Sequence, residues 1–338
     1  MVLGLRDVFT AHSVLQGVIR RTPVFAVPDS TVYLKAENLQ HTGSFKIRGA
    51  FTLLCDPAFR SGVVTASSGN HGSALAYAAA QQNIPACVVM PQDAPAVKVA
   101  GCRRHGAEVI FCGHTSSQRQ QRAHDVARER KWAYAESYDH PRIIAGQGTV
   151  GLELVQQMRE LGQVVCPMGG GGLISGIALV IKGLAPHVKV VGVEPKGAAR
   201  MTFSLASGTP QVLTTVDTIA DGLRVDKPGA WTFPLIQQLV DDVITVDDDD
   251  IRTAMRRLFY DHKLVVEPSG AATFAAFLAG HLNITSHTAL IVSGGNIDAS
   301  RLDQLVAPSG SSGENGSVSG KKESSEVEVV INEGRAEF

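Results

Sequence analysis

The run Thr42-Gly43-Ser44-Phe45-Lys46-Ile47-Arg48-Gly49-Ala50 encloses one lysine between small residues and an aromatic ring. In such surroundings desolvation disfavours the ammonium form, and the neutral amine can attack a carbonyl and form a Schiff base. A lone lysine of this kind is more often a solvated loop charge. Three further motifs change that reading: Ser67-Ser68-Gly69-Asn70-His71-Gly72, Gly169-Gly170-Gly171-Gly172-Leu173 and Ser293-Gly294-Gly295-Asn296.

Four consecutive glycines are costly to order. Without Cβ atoms, Gly169, Gly170, Gly171 and Gly172 allow backbone N–H groups to converge on one anion, and a following helix adds its positive N-terminal end. The run lacks the lysine of a nucleotide-binding loop, although Glu194 lies where a dinucleotide fold would want an acid, so that alternative stays open at this point. Ser293 offers a neutral hydroxyl able to hydrogen-bond a pyridine nitrogen without fully protonating it. Ser67, Asn70 and His71 offer a hydroxyl, an amide and free N–H groups, suited to a carboxylate and a phenolic oxygen, while helix capping or a structural histidine would explain the same residues. Amine, anion cradle and ring-nitrogen partner together describe the needs of a phosphorylated pyridine aldehyde.

These residues need elements to hold them. Short β-branched runs (Val63–Ala66, Ala86–Met90, Glu108–Phe111, Val164–Pro167, Lys189–Val193, Leu290–Val292) alternate with helical stretches such as Ser73–Gln82 and Ile174–Leu184. That alternation predicts open, mainly parallel sheets with helices on both faces. Three of the four motifs follow a predicted strand, where parallel α/β sheets bind ligands. The segment from Pro308 on is rich in Ser, Gly, Glu and Lys and predicts a disordered tail, in which Val327–Ile331 could pair as an isolated strand.

The chain has 338 residues, 44% of them apolar, which allows about two domains. Lys+Arg 31 against Asp+Glu 32 gives no field to hold nucleic acid. Cys55, Cys87, Cys102, Cys112 and Cys166 are odd in number and scattered, as expected of reduced thiols. No stretch reads as a membrane span or secretory signal, so a cytoplasmic protein is expected.

The four ordered motifs closely resemble the serine/threonine dehydratase and serine racemase family of fold-type-II pyridoxal-phosphate enzymes, over about residues 5–305. Ile47 strengthens the likeness, because related threonine and cysteine synthases typically carry aspartate directly after the lysine. The resemblance implies an α/β fold of two open, mainly parallel twisted-sheet domains with the cofactor in the cleft between them, like the tryptophan synthase β subunit. Residues 1–55 and 140–307 would form the large cofactor-binding domain and 56–139 the small substrate domain, with 308–338 as the tail. It implies pyridoxal 5'-phosphate, a small hydroxy amino acid as substrate, and a homodimer or homotetramer. Lys46 becomes the Schiff-base lysine, Phe45 packs by the ring, Asn70 meets the phenolic oxygen, Gly169 to Gly172 with Leu173 hold the phosphate, and Ser293 faces the ring nitrogen. Ser67, Asn70 and His71 would bind the substrate carboxylate, and Glu267 lies near the cofactor.

Dehydration to a 2-oxo acid and ammonia is the activity the resemblance implies first. Racemisation of serine or an aspartate-type substrate is the alternative, and a catalytically silent cofactor-binding protein is the second. Ser68 stands where similar racemases carry an opposite-face acid/base serine, and Arg119 matches by spacing an arginine tied to carboxylate recognition, although it also reads as a solvated helix residue. Val225 points the other way, standing where a racemase offers serine. Metal-activated relatives bind a cation at the positions of Glu194, Ala198 and Arg200; a guanidinium there predicts no metal site, and Arg200 reads either as an ion-pair partner of Glu194 in the ion's place or as a solvated arginine.

Overall fold

Among the described residues, ten strands form two sheets: β1 (Val24–Ala26), β2 (Val32–Ala36), β3 (Val63–Ala66), β4 (Ala86–Met90), β5 (Glu108–Phe111), β6 (Ala133–Tyr134), β7 (Leu161–Pro167), β8 (Lys189–Pro195), β9 (Asp242–Val246) and β10 (His287–Val292). This computed structural model describes residues 3–67, 69–94, 96–113, 116–284 and 286–307, without the side chains of Ser116 and Ser117. Expectations for Ser68, for 308–338 and for a strand over Val327–Ile331 lie outside the described residues.

The larger sheet has the order β1-β2-β10-β7-β8-β9, and the smaller one β5-β4-β3-β6. Every neighbouring pair is parallel except β1 with β2. The central strands are apolar toward their carboxyl ends: Val164, Val165 and Cys166 of β7 and Ala289 to Val292 of β10 have no exposed surface. Strands covered on both faces need no polar alternation. Two core clusters flank the larger sheet, one around Val165, Val193 and Phe274, the other around Val164, Ile177 and Ile291.

Chain order reverses once in each sheet. After β7, β8 and β9 extend one edge, β10 returns to the opposite side of β7; after β3, β4 and β5, β6 returns to the opposite side of β3. Crevices open at the carboxyl ends of such strand pairs, because the connections leave in opposite directions. Two of the glycine- and serine-rich motifs follow β7 and β10, and the Ser-Gly-Asn-His motif follows β3.

The helices after these strands begin earlier than the sequence pattern suggests. One runs Asn70–Gln81 rather than from Ser73, and the other Gly172–Leu184 rather than from Ile174. Pattern reading misses the first turn, whose N–H groups need no intrahelical partner and whose side chains need no apolar face.

Lys46 opens the helix Lys46–Leu54, which lies against Pro141–Gln157 in a contact that only glycine permits: a Cβ on Gly146 would stand 2.5 Å from the Arg48 carbonyl oxygen. Beneath this contact lies a buried ionic cluster. Arg48 binds both oxygens of Glu37 at 2.7 and 2.8 Å and Glu153 at 2.7 Å, while Lys35 reaches Glu153 at 2.5 Å and the Thr22 carbonyl at 2.8 Å. Lys35, Glu37 and Arg48 have no exposed surface.

Candidate active site

The motif around Lys46 and the turn after β10 are stitched together by backbone. Phe45 N–H donates to the Ser293 carbonyl at 3.1 Å, Gly295 N–H to the Gly43 carbonyl at 2.9 Å, and Ser44 pairs with Gly294 as an isolated antiparallel bridge. Lys46 and Ser293 are thereby fixed at one cleft. The Lys46 amine donates to the Ser137 carbonyl at 2.9 Å, with the Phe45 ring centroid 5.3 Å away. Burial strips the amine of water and lowers its pKa to about 8, against the opposing charge of Glu267.

A second set of side chains faces Lys46. Asn70 donates to Glu267 Oε1 at 2.5 Å and accepts from Asn296 at 2.8 Å, and Asn296 also donates to the Thr42 carbonyl at 2.7 Å. Glu267 Oε2 and both ring nitrogens of His71 are buried without a hydrogen-bond partner. Burial, reinforced by Lys46, pushes the His71 pKa down to about 3, so the ring is neutral. Burial raises Glu267 to about 7, with Asp221 adding to the rise and Lys98, Asn70 and Lys46 opposing it. Ser67 Oγ accepts from Gly69 N–H at 3.2 Å and Gly72 N–H at 3.0 Å, which closes the turn into the helix.

The glycine run forms the far wall. A Cβ on Gly170 would lie 2.2 Å from Cγ of the Tyr138 ring, and one on Gly172 2.8 Å from the Tyr138 carbonyl oxygen. Gly171 has φ +92°, the left-handed conformation glycine adopts without strain. Thr232 Oγ1 holds the Gly170 carbonyl at 2.7 Å, and the Asp139 carboxylate anchors Thr232 through the N–H groups of Ala230, Trp231 and Thr232.

These walls enclose a cleft of about 580 Å³. Phe45, Lys46, Ser67, Asn70, His71, Arg119, Gly169, Gly170, Gly171, Gly172, Leu173 and Ser293 all line it, so every site residue expected from sequence, apart from the undescribed Ser68, meets in one place. Val225 and Glu267 line it too. Arg119 reaches it from the helix Ser116–Arg130, and so is not simply a surface charge. Sequence reasoning passed over Ser137 and Tyr138, which follow the two-residue strand β6, and Lys98, whose buried amine pairs with Asp221 across the cleft. The signal for the first two was their place after a strand, but β6 is too short to show in an apolar pattern.

The donor set fits pyridoxal phosphate. A stretch of backbone packed too closely against Tyr138, Thr232 and Ile236 to carry a Cβ at Gly170, Gly171 or Gly172, and opening a helix N-terminus, suits a phosphate, the depressed amine suits an aldehyde, and buried unpartnered groups of His71 and Glu267 lie at the same cleft. The sequence pattern described as "Pyridoxal-phosphate dependent enzyme" matches residues 15–294. The chain belongs to this family. Among its relatives, the catabolic L-threonine dehydratase TdcB of Escherichia coli is 40% identical over 319 residues, covering 90% of this chain and 96% of the relative. The L-threo-3-hydroxyaspartate ammonia-lyase of Saccharomyces cerevisiae is 38% identical over 311 residues, covering 89% and 95%. The solved structure of maize serine racemase superposes with a TM-score of 0.86 at 37% identity, covering 90% of this chain and 97% of that one. The fold is therefore the fold-type-II architecture, and pyridoxal phosphate is the family's cofactor. Among the described residues, no helix is long and apolar enough to cross a membrane.

Proposed function

We propose that this protein is an ammonia-lyase that converts L-threonine, L-serine or a similar 3-hydroxy amino acid into a 2-oxo acid and ammonia. The observation that carries the reading is the Lys46 amine, held at the Ser137 carbonyl with its pKa brought down to about 8, in the same cleft as the glycine cradle. Gly169 to Gly172 and Leu173 would hold the phosphate, Asn70 the phenolic oxygen and Ser293 the ring nitrogen. Pyridoxal phosphate, when bound, supplies the electrophilic aldehyde and the electron sink.

The chain's own residues do the rest. Lys46, as a neutral amine, takes the proton from the substrate Cα and keeps it within the cleft. Ser67, Asn70 and His71 orient the substrate carboxylate at the positive N-terminus of the helix Asn70–Gln81. Arg119 adds a cation on the same side. The Ser293 hydroxyl, being neutral, would hydrogen-bond the ring nitrogen without giving it a full proton, the setting that suits loss of the β-hydroxyl better than transfer of the amine. Val225, an apolar wall residue, supports elimination over racemisation. Within this reading 56–139 acts as the substrate domain and 1–55 with 140–307 as the cofactor domain, in a cytoplasmic homodimer or homotetramer.

Likeness to maize serine racemase favours a second reading, in which the same site also inverts serine with Ser68 as the opposite-face acid/base. A panel of L-serine, L-threonine and L-threo-3-hydroxyaspartate, scored for 2-oxo acid, ammonia and enantiomer, separates them. Equimolar 2-oxo acid and ammonia are expected. Accumulation of the D enantiomer with little 2-oxo acid would favour the racemase, and a spectral shift with neither product would overturn both.

A further inference from the structure

Glu194 lies near the end of β8 and Arg200 begins the helix Arg200–Ser207, and the fold brings both side chains out of contact with solvent. Arg200 Nη1 stands 2.9 Å from Glu194 Oε1 and donates to the Ala198 carbonyl at 2.5 Å, while Nη2 donates to the Met168 carbonyl at 2.9 Å. Glu194 is further satisfied by the N–H groups of Met201 and Thr202 and by the Thr202 hydroxyl. A buried ion pair of this kind is a weak source of stability, since apolar residues of similar volume commonly serve as well. The guanidinium therefore calls for another explanation, and Met168, the residue directly before Gly169, supplies one.

The carbonyl of Met168 and the N–H of Gly169 belong to one peptide plane. In a trans peptide the two point in opposite directions, so anchoring the oxygen fixes the direction of the N–H. Every described peptide bond is trans, and Gly169 lines the cleft. A charged donor on the carbonyl also polarises the peptide and strengthens its N–H as a donor. The middle of the run is held by Thr232 and Tyr138, and its end by the helix Gly172–Leu184; Arg200 holds the entry.

We propose that Arg200 is a positioning residue for the cofactor phosphate: by gripping the Met168 carbonyl it aims the Gly169 N–H into the cradle without touching the phosphate. This rests on the reading of Gly169 to Gly172 as the phosphate site. The test is equilibrium binding to cofactor-free protein of pyridoxal 5'-phosphate and of pyridoxal, which lacks the phosphate. Arg200→Gln should weaken binding of the phosphorylated form about tenfold, the effect of losing one charge-assisted hydrogen bond, and change pyridoxal binding less than about twofold. Glu194→Gln, which keeps the grip on Met168, should leave the ratio of the two affinities within about twofold of the parent. Should Arg200→Gln not fold, the charge-free pair Glu194→Gln/Arg200→Met is expected to show the same selective loss. Equal weakening of both ligands in the Arg200 variants, or an equal change of the ratio in Glu194→Gln, would overturn the proposal. A parent protein that binds pyridoxal as tightly as its phosphate would instead remove the cradle reading on which it rests.

Discussion

Lys46 and Glu267 titrate toward each other, one lowered to about 8 and the other raised to about 7. In the cofactor-free protein the neutral amine is the form that captures an aldehyde. The rate of pyridoxal phosphate capture should therefore rise with pH and level off above about 8. Glu267→Gln removes a negative charge that favours the ammonium form, so the midpoint of that profile should move to lower pH. A midpoint unchanged or raised in the variant would show that Glu267 does not sense the amine; stopped-flow absorbance across the pH range reads it. Lys46→Ala should lose both the visible absorbance of the bound cofactor and turnover, by many orders of magnitude, because, of the two other lysines that line the cleft, Lys98 is committed to Asp221 and Lys227 is solvent-exposed. Normal activity in that variant would end the present reading. Glu267 and His71 also give the fold opposite pH responses. Glu267, raised, stabilises below its unfolded value and loses that contribution as pH rises through about 7. His71, held neutral, costs stability as pH falls from its unfolded value toward about 3.

At the scale of elements, the two crevices explain what was legible in the sequence. Gly169–Gly172, Ser293–Asn296 and Ser67–Gly72 were readable because they follow strands and occur together, although capping or an ordinary turn would explain the serine-containing motifs taken singly. Ser137 and Tyr138 occupy the equivalent place after β6, yet two half-buried residues, Ala133 and Tyr134, leave no apolar period to mark a strand. β2 was hidden differently: Lys35 breaks its apolar run and suggests a solvated face, whereas its amine is buried against Glu153 and the Thr22 carbonyl. Antiparallel β1 was equally silent, an edge strand with two exposed residues. The pairing of Arg200 with Glu194, by contrast, was one of two readings offered by the resemblance to metal-activated relatives, the other being a solvated arginine, and is found at 2.9 Å. It carries a prediction for the loop between them. With a guanidinium already satisfying Glu194 and the Ala198 carbonyl, activity should survive exhaustive chelation. Arg200→Asp should make the protein newly responsive to magnesium or calcium, since it restores oxygen ligands for a hard cation. Strong inactivation of the parent by a chelator, reversed by adding a divalent ion, would locate a metal on other ligands.

Across the whole molecule, the position of the reactive amine depends on contacts far from it in sequence. Arg48 sits two residues beyond Lys46, and through it the helix Lys46–Leu54 is tied to Glu37, directly after β2, and to Glu153 of the helix Pro141–Gln157. Glu153 is the shared partner, binding Arg48 and Lys35 at 2.7 and 2.5 Å. Burial alone would raise its pKa, but the two cations overcome that and hold it below the ordinary carboxylate range. A carboxyl with a depressed folded pKa contributes stability above its unfolded value and loses it as pH falls through the folded one. Glu153→Gln leaves Lys35 and Arg48 with Glu37 as their one remaining carboxylate, an excess of buried positive charge in the cluster, and should cost about 3–5 kcal/mol at neutral pH, as removal of one partner from a buried pair does. The difference from the parent should shrink as pH falls below the unfolded carboxylate value, because the parent then loses the same charge. Denaturant unfolding at neutral and acid pH measures both quantities. A variant as stable as the parent at neutral pH would mean that the cluster relaxes around water; a pH-independent loss would assign the cost to packing rather than charge. Because the same helix presents Lys46 to the cleft, a loss of charge at Glu153 is also expected to loosen the amine from the Ser137 carbonyl, and slower cofactor capture in a still-folded variant would register it.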